Sequence, residues 1–294
     1  MTINTLERWV SRPFCWPRIS ALVGVIYLLI PCFSLASLPA AVASPADKWS
    51  YADIADLFLE TPIVARVRIV DAIPVKDAKA PATRGGTIRY YLVADVTALI
   101  RGSGGIAPRI AWVADIAVDS RGRAPKLKKT DVIIAALPVA GRPSEIRLAA
   151  PDAMIPWTAA RDAQVRAVVA SGLAADAPPR VVSVASAFHS AGNLVGEGET
   201  QIFLSTLRAQ PVSLTVLRRP GIEPRWAVAL GEIVDEAARP PERDTLGWYR
   251  LACFLPPTLP DTALSELTAE IADAAKADYA FVIGSIGPCT RTRG

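Results

Sequence analysis

The stretch TIRYYLVADVTALI, residues 87–100, decides the fold of the first half of this 294-residue chain. Its apolar residues alternate with more polar ones: Ile88, Tyr90, Leu92, Ala94 and Val96. A period of two is what a β-strand with one buried face requires. Four similar runs surround it: PIVARVRIVDAI (62–73), RIAWVADI (109–116), DVIIAALPV (131–139) and EIRLAA (145–150). Five short strands without a long intervening helix predict a small β-barrel or a sandwich.

Three short motifs lie within residues 62–157. They are Val64-Ala65-Arg66-Val67, Leu99-Ile100-Arg101-Gly102 and Leu127-Lys128-Lys129-Thr130-Asp131. Together they resemble a pattern of secreted bacterial proteins with small OB-like β-barrels, in which V-x-G-x-V is followed by L-K-G and by a Gly- or Lys-bearing turn. Ala65 and Thr130 stand where glycine is common in that pattern. The resemblance implies a five-stranded OB-like barrel in domain 44–156, and it implies no activity.

The second half of the chain predicts an α+β unit. Thr158 can cap a helix, and this helix and a Pro-rich linker occupy residues 157–179. In residues 180–294, four strand-like runs follow: RVVSVASAF, TQIFLSTL, QPVSLTVLRR and RWAVALGEIV. The short turns between the last three predict an antiparallel meander. The residues that can begin the C-terminal helices are Asp244 for the first and Asp261 or Thr262 for the second.

Residues 1–43 have the layout of a secretory signal peptide. Three arginines open the segment, and an uncharged run follows whose most apolar part is ALVGVIYLLI, residues 21–30. Ala41-Val42-Ala43 supplies the small residues that signal peptidase requires. The pattern predicts cleavage before Ser44 and export of the rest of the chain.

An uncleaved anchor over residues 19–43 is the alternative. These 25 residues meet the length of roughly 17–25 that a membrane span needs. Pro31, Pro39 and the small residues near the end favour cleavage instead. Both interpretations place residues 44–294 outside the cytoplasm, in the periplasm, at the cell envelope or in the medium.

The cysteines and charges fit an exported, folded body. Cys15 and Cys32 leave with the signal, so Cys253 and Cys289 remain to form a disulfide in an oxidising compartment. In the chain-entropy model, closing that loop stabilises the fold by about 4 kcal/mol. Two buried free thiols are the alternative. Removing three Arg and one Glu changes 32 basic and 28 acidic residues to 29 and 27, so the net charge falls from +4 to +2.

A basic loop, DSRGRAPKLKKTD (119–131), is a candidate anion-binding segment. Its cationic residues are Arg121, Arg123, Lys126, Lys128 and Lys129. A solvated turn is the alternative. A binder of single-stranded nucleic acid would interleave aromatic residues with the cations, and this loop has none, so no nucleic-acid partner is expected. Acidic polysaccharide, an anionic lipid surface or another envelope protein remain the partners that this chemistry fits.

His189 is the single histidine of the chain, and Ser186, Ser190 and Asn193 stand nearby. A serine hydrolase needs a base beside its nucleophile and an acid that orients the base. In a strand His189 and Ser190 point to opposite faces, and the chain has no G-x-S-x-G motif. A histidine at a loop edge, satisfied by local hydrogen bonds, is the simpler interpretation.

Three carboxylates, Glu232, Asp235 and Glu236, follow helical spacing. They can hold a hard cation, or they can be acidic residues that favour a helix N-terminus. One histidine and the lack of a Cys/His cluster argue against structural zinc, and the sequence predicts no cofactor.

The sequence therefore predicts an exported, non-catalytic protein with a binding or scaffolding role. Two alternatives remain, a periplasmic hydrolase that uses His189 with a distant Ser or Glu, and a polyanion binder that uses residues 121–129.

Overall fold

The computed structural model describes residues 49–75, 86–230 and 239–293. The predicted signal peptide, with its cut before Ser44, lies outside these ranges, and so does the carboxylate group of Glu232, Asp235 and Glu236. Within the described ranges, none of the helices combines the length and the hydropathy of a membrane span. The fold is α+β, with two antiparallel sheets and four α-helices in the described part of the chain.

The first sheet contains all five strands that the sequence predicts and a sixth that it does not. Its strands are β1 (Ile63–Pro74), β2 (Thr87–Arg101), β3 (Arg109–Ala117), β4 (Asp131–Pro138), β5 (Ile146–Leu148) and β6 (Met154–Pro156). The order is β3-β2-β1-β4-β5, and β6 pairs with β4. Because β1 pairs on both edges, it is the centre of this sheet.

Side chains at alternate positions of β1 point into two different hydrophobic clusters. Ala65, Val67 and Ile69 point into a cluster formed with Leu92 and Ile134 from the neighbouring strands. Val64 points to the opposite face and joins a larger cluster. Register shifts interrupt the β1–β2 pairing at three places, and such bulges bend a strand and increase its twist.

The sheet does not close into a barrel in the described residues. One parallel bridge, Ala111↔Glu145, joins β3 to the residue directly before β5, and the Ala111 amide donates to the Ser144 carbonyl at 2.8 Å. The described residues therefore contain the predicted antiparallel strands as an open sheet, which is a coarser result than the predicted five-stranded barrel.

The second sheet is the predicted meander. Its strands are β7 (Val181–Ala191), β8 (Gly198–Thr206), β9 (Val212–Arg219) and β10 (Ile222–Ala229), in the order β10-β9-β8-β7. Ile202, Leu214 and Val216 are fully buried on its inner face. The remainder of the RWAVALGEIV run, beyond residue 230, lies outside the described residues.

Two helices are capped by side chains close to their first residues, and the second of them begins where the sequence predicts. Helix α1 (Tyr51–Phe58) has a complete capping box, in which Ser50 and Asp53 each bond the other's backbone amide. Helix α2 (Ala159–Leu173) is capped by Thr158, whose hydroxyl accepts from the Arg161 amide.

The two C-terminal helices begin later than predicted. Helix α3 (Leu246–Ala252) is capped by Thr245, not by Asp244, because Asp244 has a left-handed φ of 59° and an N-cap residue is extended. Asp261 begins a short 3-10 helix, Asp261–Leu264, and helix α4 (Ala269–Ile286) follows with Thr268 at its N-cap. The apolar second half of α4 buries Tyr279, Val282 and Ile286.

The helices and both sheets share one large hydrophobic cluster. Phe58 of α1, Ile133 of β4, Leu214 of β9, Trp248 of α3 and Tyr279 of α4 all belong to it. The described residues fall in one compact unit. The predicted boundaries at 44–156, 157–179 and 180–294 stay a prediction.

Candidate functional site

His189 lies inside strand β7 rather than at a loop edge, and its side chain is 12% exposed. It is paired in register with Thr200 of β8. A Cβ on Gly198 would lie 2.9 Å from His189 Cε1, which is closer than real Cβ atoms approach. The glycine at the start of β8 therefore makes room for the imidazole.

His189 belongs to a buried polar cluster with Thr200, Arg218 and Asp278. His189 Nδ1 lies 2.8 Å from Thr200 Oγ1, and the Thr200 hydroxyl donates to Asp278. Because that hydroxyl has one proton, its oxygen accepts from Nδ1, which leaves Nε2 of the neutral ring as an acceptor. Arg218 Nε donates to the other oxygen of Asp278, whose side chain is 1% exposed.

The cluster joins helix α4 to three strands of the second sheet. Asp278 lies 3.8 Å from His189 Nδ1, which is beyond hydrogen-bond distance, so the Thr200 hydroxyl connects the imidazole to this carboxylate. The Nε2 side faces Gly198, where an added Cβ would lie 3.2 Å away. Among the described residues, the side chains that lie closest to His189 Nδ1 in the hydrogen bonds and ion pairs are those of Thr200 and Asp278, and the predicted Ser or Glu partner is not among them.

Sequence reasoning missed Thr200, Arg218 and Asp278. Arg218 and Asp278 are 60 residues apart in the chain, so proximity in sequence could not reveal the pair. One signal was present: Asp278 follows Ala275 at a spacing of three and thus lies on the apolar stripe of α4 with Val282. A carboxylate on a buried helix face needs a partner, and that position predicts one.

The basic loop is exposed, and its five cations differ in their partners. Arg123 pairs with Asp119 at 3.2 Å, and Lys128 pairs with Asp71 at 2.6 Å. No ion pair joins Arg121, Lys126 or Lys129 to another described residue. The hydrogen bond from Lys128, the largest cause, lowers the pKa of the Asp71 carboxyl.

The end of the basic loop is anchored to strand β1. The Lys129 amide donates to the Ile69 carbonyl at 2.8 Å, and the Ile69 amide donates to the Thr130 carbonyl at 2.9 Å. Lys129 has a left-handed φ of 65°, which a non-glycine residue adopts at some cost. These two bonds hold the loop beside the outer face of the first sheet.

An exposed apolar row crosses that outer face. Ile73, Tyr91 and Val113 are register neighbours on β1, β2 and β3, with exposures of 48%, 38% and 51%. The next row on one side holds the Arg89–Asp115 ion pair at 2.7 Å. The next row on the other side holds Asp71, which contacts Lys128 of the basic loop. We call this row the β1–β3 face.

The Cys253–Cys289 disulfide that the cysteine count predicts is present. Beyond Cys289, the tail bonds along helix α1 and its surroundings. Thr292 donates to Asp53 from its amide and its hydroxyl, Arg291 pairs with Asp56 at 2.7 Å, and Arg293 pairs with Asp152 at 2.9 Å. We call residues 291–293 the C-terminal strap.

Comparison with known proteins adds no family to this geometry. No protein-family model matches the chain, and no curated protein matches it significantly. Within the described ranges, no group of three His, Cys, Asp or Glu side chains is arranged to hold a metal ion.

Proposed function

We propose that this is an exported, non-catalytic protein of the periplasm or cell envelope that binds acidic polysaccharide on its β1–β3 face. The main observation behind the proposal is the exposed row of Ile73, Tyr91 and Val113, which lies beside a loop with three cations that form no ion pair with another described residue. Sugar rings offer apolar C–H faces that pack on such a row, and their acidic groups are attracted to Arg121, Lys126 and Lys129.

The topology of the first sheet supports an OB-like barrel as part of this proposal. The order β3-β2-β1-β4-β5 and the parallel bridge Ala111↔Glu145 bring the two ends of the sheet together. OB folds are partly open barrels that bind oligosaccharides through the face of strands 2 and 3 and through neighbouring loops. The β1–β3 face includes the corresponding strands of this chain.

The disulfide supports export. Disulfides persist in oxidising compartments and are rare in the cytosol, and the bond joins the two cysteines that remain after cleavage before Ser44. Intact mass of the natively produced protein, measured with and without thiol alkylation, tests both points. A full-length product with free thiols would contradict export.

Retention on an immobilised acidic polysaccharide such as heparin tests the binding role. Lys126→Glu combined with Lys129→Glu should abolish retention, and Tyr91→Ala should weaken it. Arg225→Glu, an exposed change on the second sheet, is the matched control and should leave retention unchanged. Equal retention of the loop variant, the Tyr91 variant and the parent protein would refute the proposal.

A hydrolase that uses His189 is the second candidate, and the contact of His189 with Thr200 and Asp278 favours it. Turnover of p-nitrophenyl acetate by the parent protein and its loss in His189→Ala would support this candidate. Turnover that is the same in both proteins would exclude His189 as the base.

A further inference from the structure

A pocket of about 200 Å³ lies between helix α1, helix α3 and the C-terminal strap. Three arginines line it together with two carboxylates and two aromatic rings: Arg180, Arg250, Arg291, Asp56, Glu60 and the rings of Tyr249 and Phe254. It shares no residue with the β1–β3 face or with the His189 cluster.

One carboxylate of the pocket is already satisfied. Asp56 accepts from Arg291 Nε at 2.7 Å and from the Tyr249 hydroxyl at 2.7 Å. Burial, followed by the hydrogen bond to Asp56, raises the pKa of the Tyr249 phenol, so the phenol remains a neutral donor at physiological pH. This side of the pocket therefore carries no net charge.

The other side has two guanidinium groups and one carboxylate. Glu60 bridges Arg250 Nη1 at 3.2 Å and Arg180 Nη1 at 3.5 Å. Both distances exceed the roughly 2.7–2.9 Å of a strong charge-assisted bond. The Glu60 side chain is 55% exposed, so solvent weakens the attraction further. One positive charge is left over on this side.

Arg250 is under-satisfied for a buried cation. The residue is 9% exposed. The one hydrogen bond that its guanidinium forms with another described residue is the long bond to Glu60, and its Nε is buried without a partner in the described part of the chain. A guanidinium has five donors and binds a carboxylate best through two parallel bonds. Buried donors without acceptors cost free energy, so Arg250 is positioned to bind an oxyanion by donating hydrogen bonds to it.

We infer that this pocket binds a small monocarboxylate, which displaces Glu60 and bridges Arg180 and Arg250. Rings hold both guanidinium groups in place, since Arg180 lies 5.3 Å from the Phe254 ring centre and Arg250 lies 5.9 Å from that of Tyr249. Ala55 and Leu59 offer an apolar wall to the rest of the ligand. The volume equals that of roughly seven water molecules, which fits a short acid such as butyrate.

Calorimetric titration of the whole exported protein with butyrate tests the inference. Glu60→Gln removes the internal competitor and should tighten butyrate binding about tenfold. Arg250→Lys keeps the charge but removes the planar fork and should weaken binding at least tenfold. Glu145→Gln is the matched control, because Glu145 also pairs with an exposed arginine, Arg142 at 2.9 Å, and it should bind butyrate as the parent does.

The inference requires that Glu60→Gln tighten butyrate binding and that Arg250→Lys weaken it. A plain structural ion pair predicts that Glu60→Gln gains no affinity, and that outcome would overturn the inference. Butyrate binding that survives in Arg250→Lys would overturn it as well, and so would phosphate binding as tightly as butyrate. If Arg250→Lys fails to fold, Arg180→Lys takes its place, because the Arg180 side chain is 44% exposed. The inference requires that Arg180→Lys also weaken butyrate binding.

Discussion

Asp53 and Asp278 are two fully buried carboxylates on two different helices, and they are stabilised in opposite ways. Asp53 on α1 accepts hydrogen bonds from backbone amides and hydroxyl groups of Ser50, Thr292 and Arg293. Asp278 on α4 accepts from the Arg218 guanidinium and the Thr200 hydroxyl. The first carboxylate depends on neutral dipoles, and the second depends on a cation.

The two carboxylates also differ in how far apart in the sequence their partners lie. Ser50 and Asp53 form a capping box within four consecutive residues, and Thr292 and Arg293 of the strap donate further hydrogen bonds to Asp53. The Asp278 cluster exists only when α4 packs on the second sheet, because each of its members comes from a different element. A buried charge that loses its one cationic partner is penalised more than one that loses a single neutral donor.

The largest expected effect is that of Asp278→Ala. The change leaves Arg218 without its anion and Thr200 without its acceptor. Because the Arg218 side chain is 35% exposed and can be partly solvated, the change should lower the free energy of unfolding by about 3 kcal/mol, at the low end for a buried pair. Urea denaturation followed by circular dichroism measures it. Asp278→Leu combined with Arg218→Met removes both charges and should recover part of the loss. A loss below about 1 kcal/mol for Asp278→Ala would show that the cluster does not stabilise the fold.

Asp53→Asn should have an intermediate effect. It keeps the size of the side chain but weakens hydrogen bonds that are strong because the acceptor is charged, and it should cost about 2 kcal/mol. Thr292→Val removes one of these donors and serves as the smaller companion change. If Asp53→Asn costs more than Asp278→Ala in the same urea experiment, the comparison of the two carboxylates is wrong.

Acid should affect Asp53 in a defined pH range. Burial alone would raise the pKa of Asp53, but the hydrogen bonds from Thr292 and Ser50 outweigh burial, and the pKa is lowered. The stabilisation is therefore complete above the unfolded value of about 3.9 and is lost as the pH falls through the lower folded value. The difference in unfolding free energy between the parent and Asp53→Asn should shrink below pH 4, and a constant difference would contradict this.

Arg166→Gln gives the smallest expected effect and serves as a surface reference for the losses of unfolding free energy at the two buried carboxylates. Arg166 pairs with Asp162 one helical turn away at 2.6 Å on the surface of α2. Exposed pairs of this kind contribute about 0.5 kcal/mol or less. A larger loss in urea denaturation would mean that surface pairs stabilise this protein more than their exposure implies.

The sequence predicts most of the fold because its strands alternate and its first helices are capped locally. Strands β1 to β5 lie within two residues of their predicted bounds, and Thr158 caps α2 as predicted. The start of α3 was missed because Asp and Thr both cap helices, and only the left-handed backbone at Asp244 selects Thr245. The short strand β6 carries no alternation that three residues could show.

The candidate sites were less predictable than the fold. His189 and the basic loop could be named from composition, since the chain has a single histidine and one dense run of cations. Their partners could not be named, because Asp278 approaches His189 from helix α4 and the partner of Lys128, Asp71, lies on strand β1. The pocket at Arg250 combines residues from α1, α3 and the strap, which no motif connects.

The C-terminal strap has a consequence for the order in which the molecule assembles. Thr292 and Asp53 are separated by 239 residues, so a ribosome must add all of the intervening residues before helix α1 can acquire these bonds. Until Thr292 has been added, the Asp53 carboxylate has its local bonds from Ser50 but lacks those from the strap.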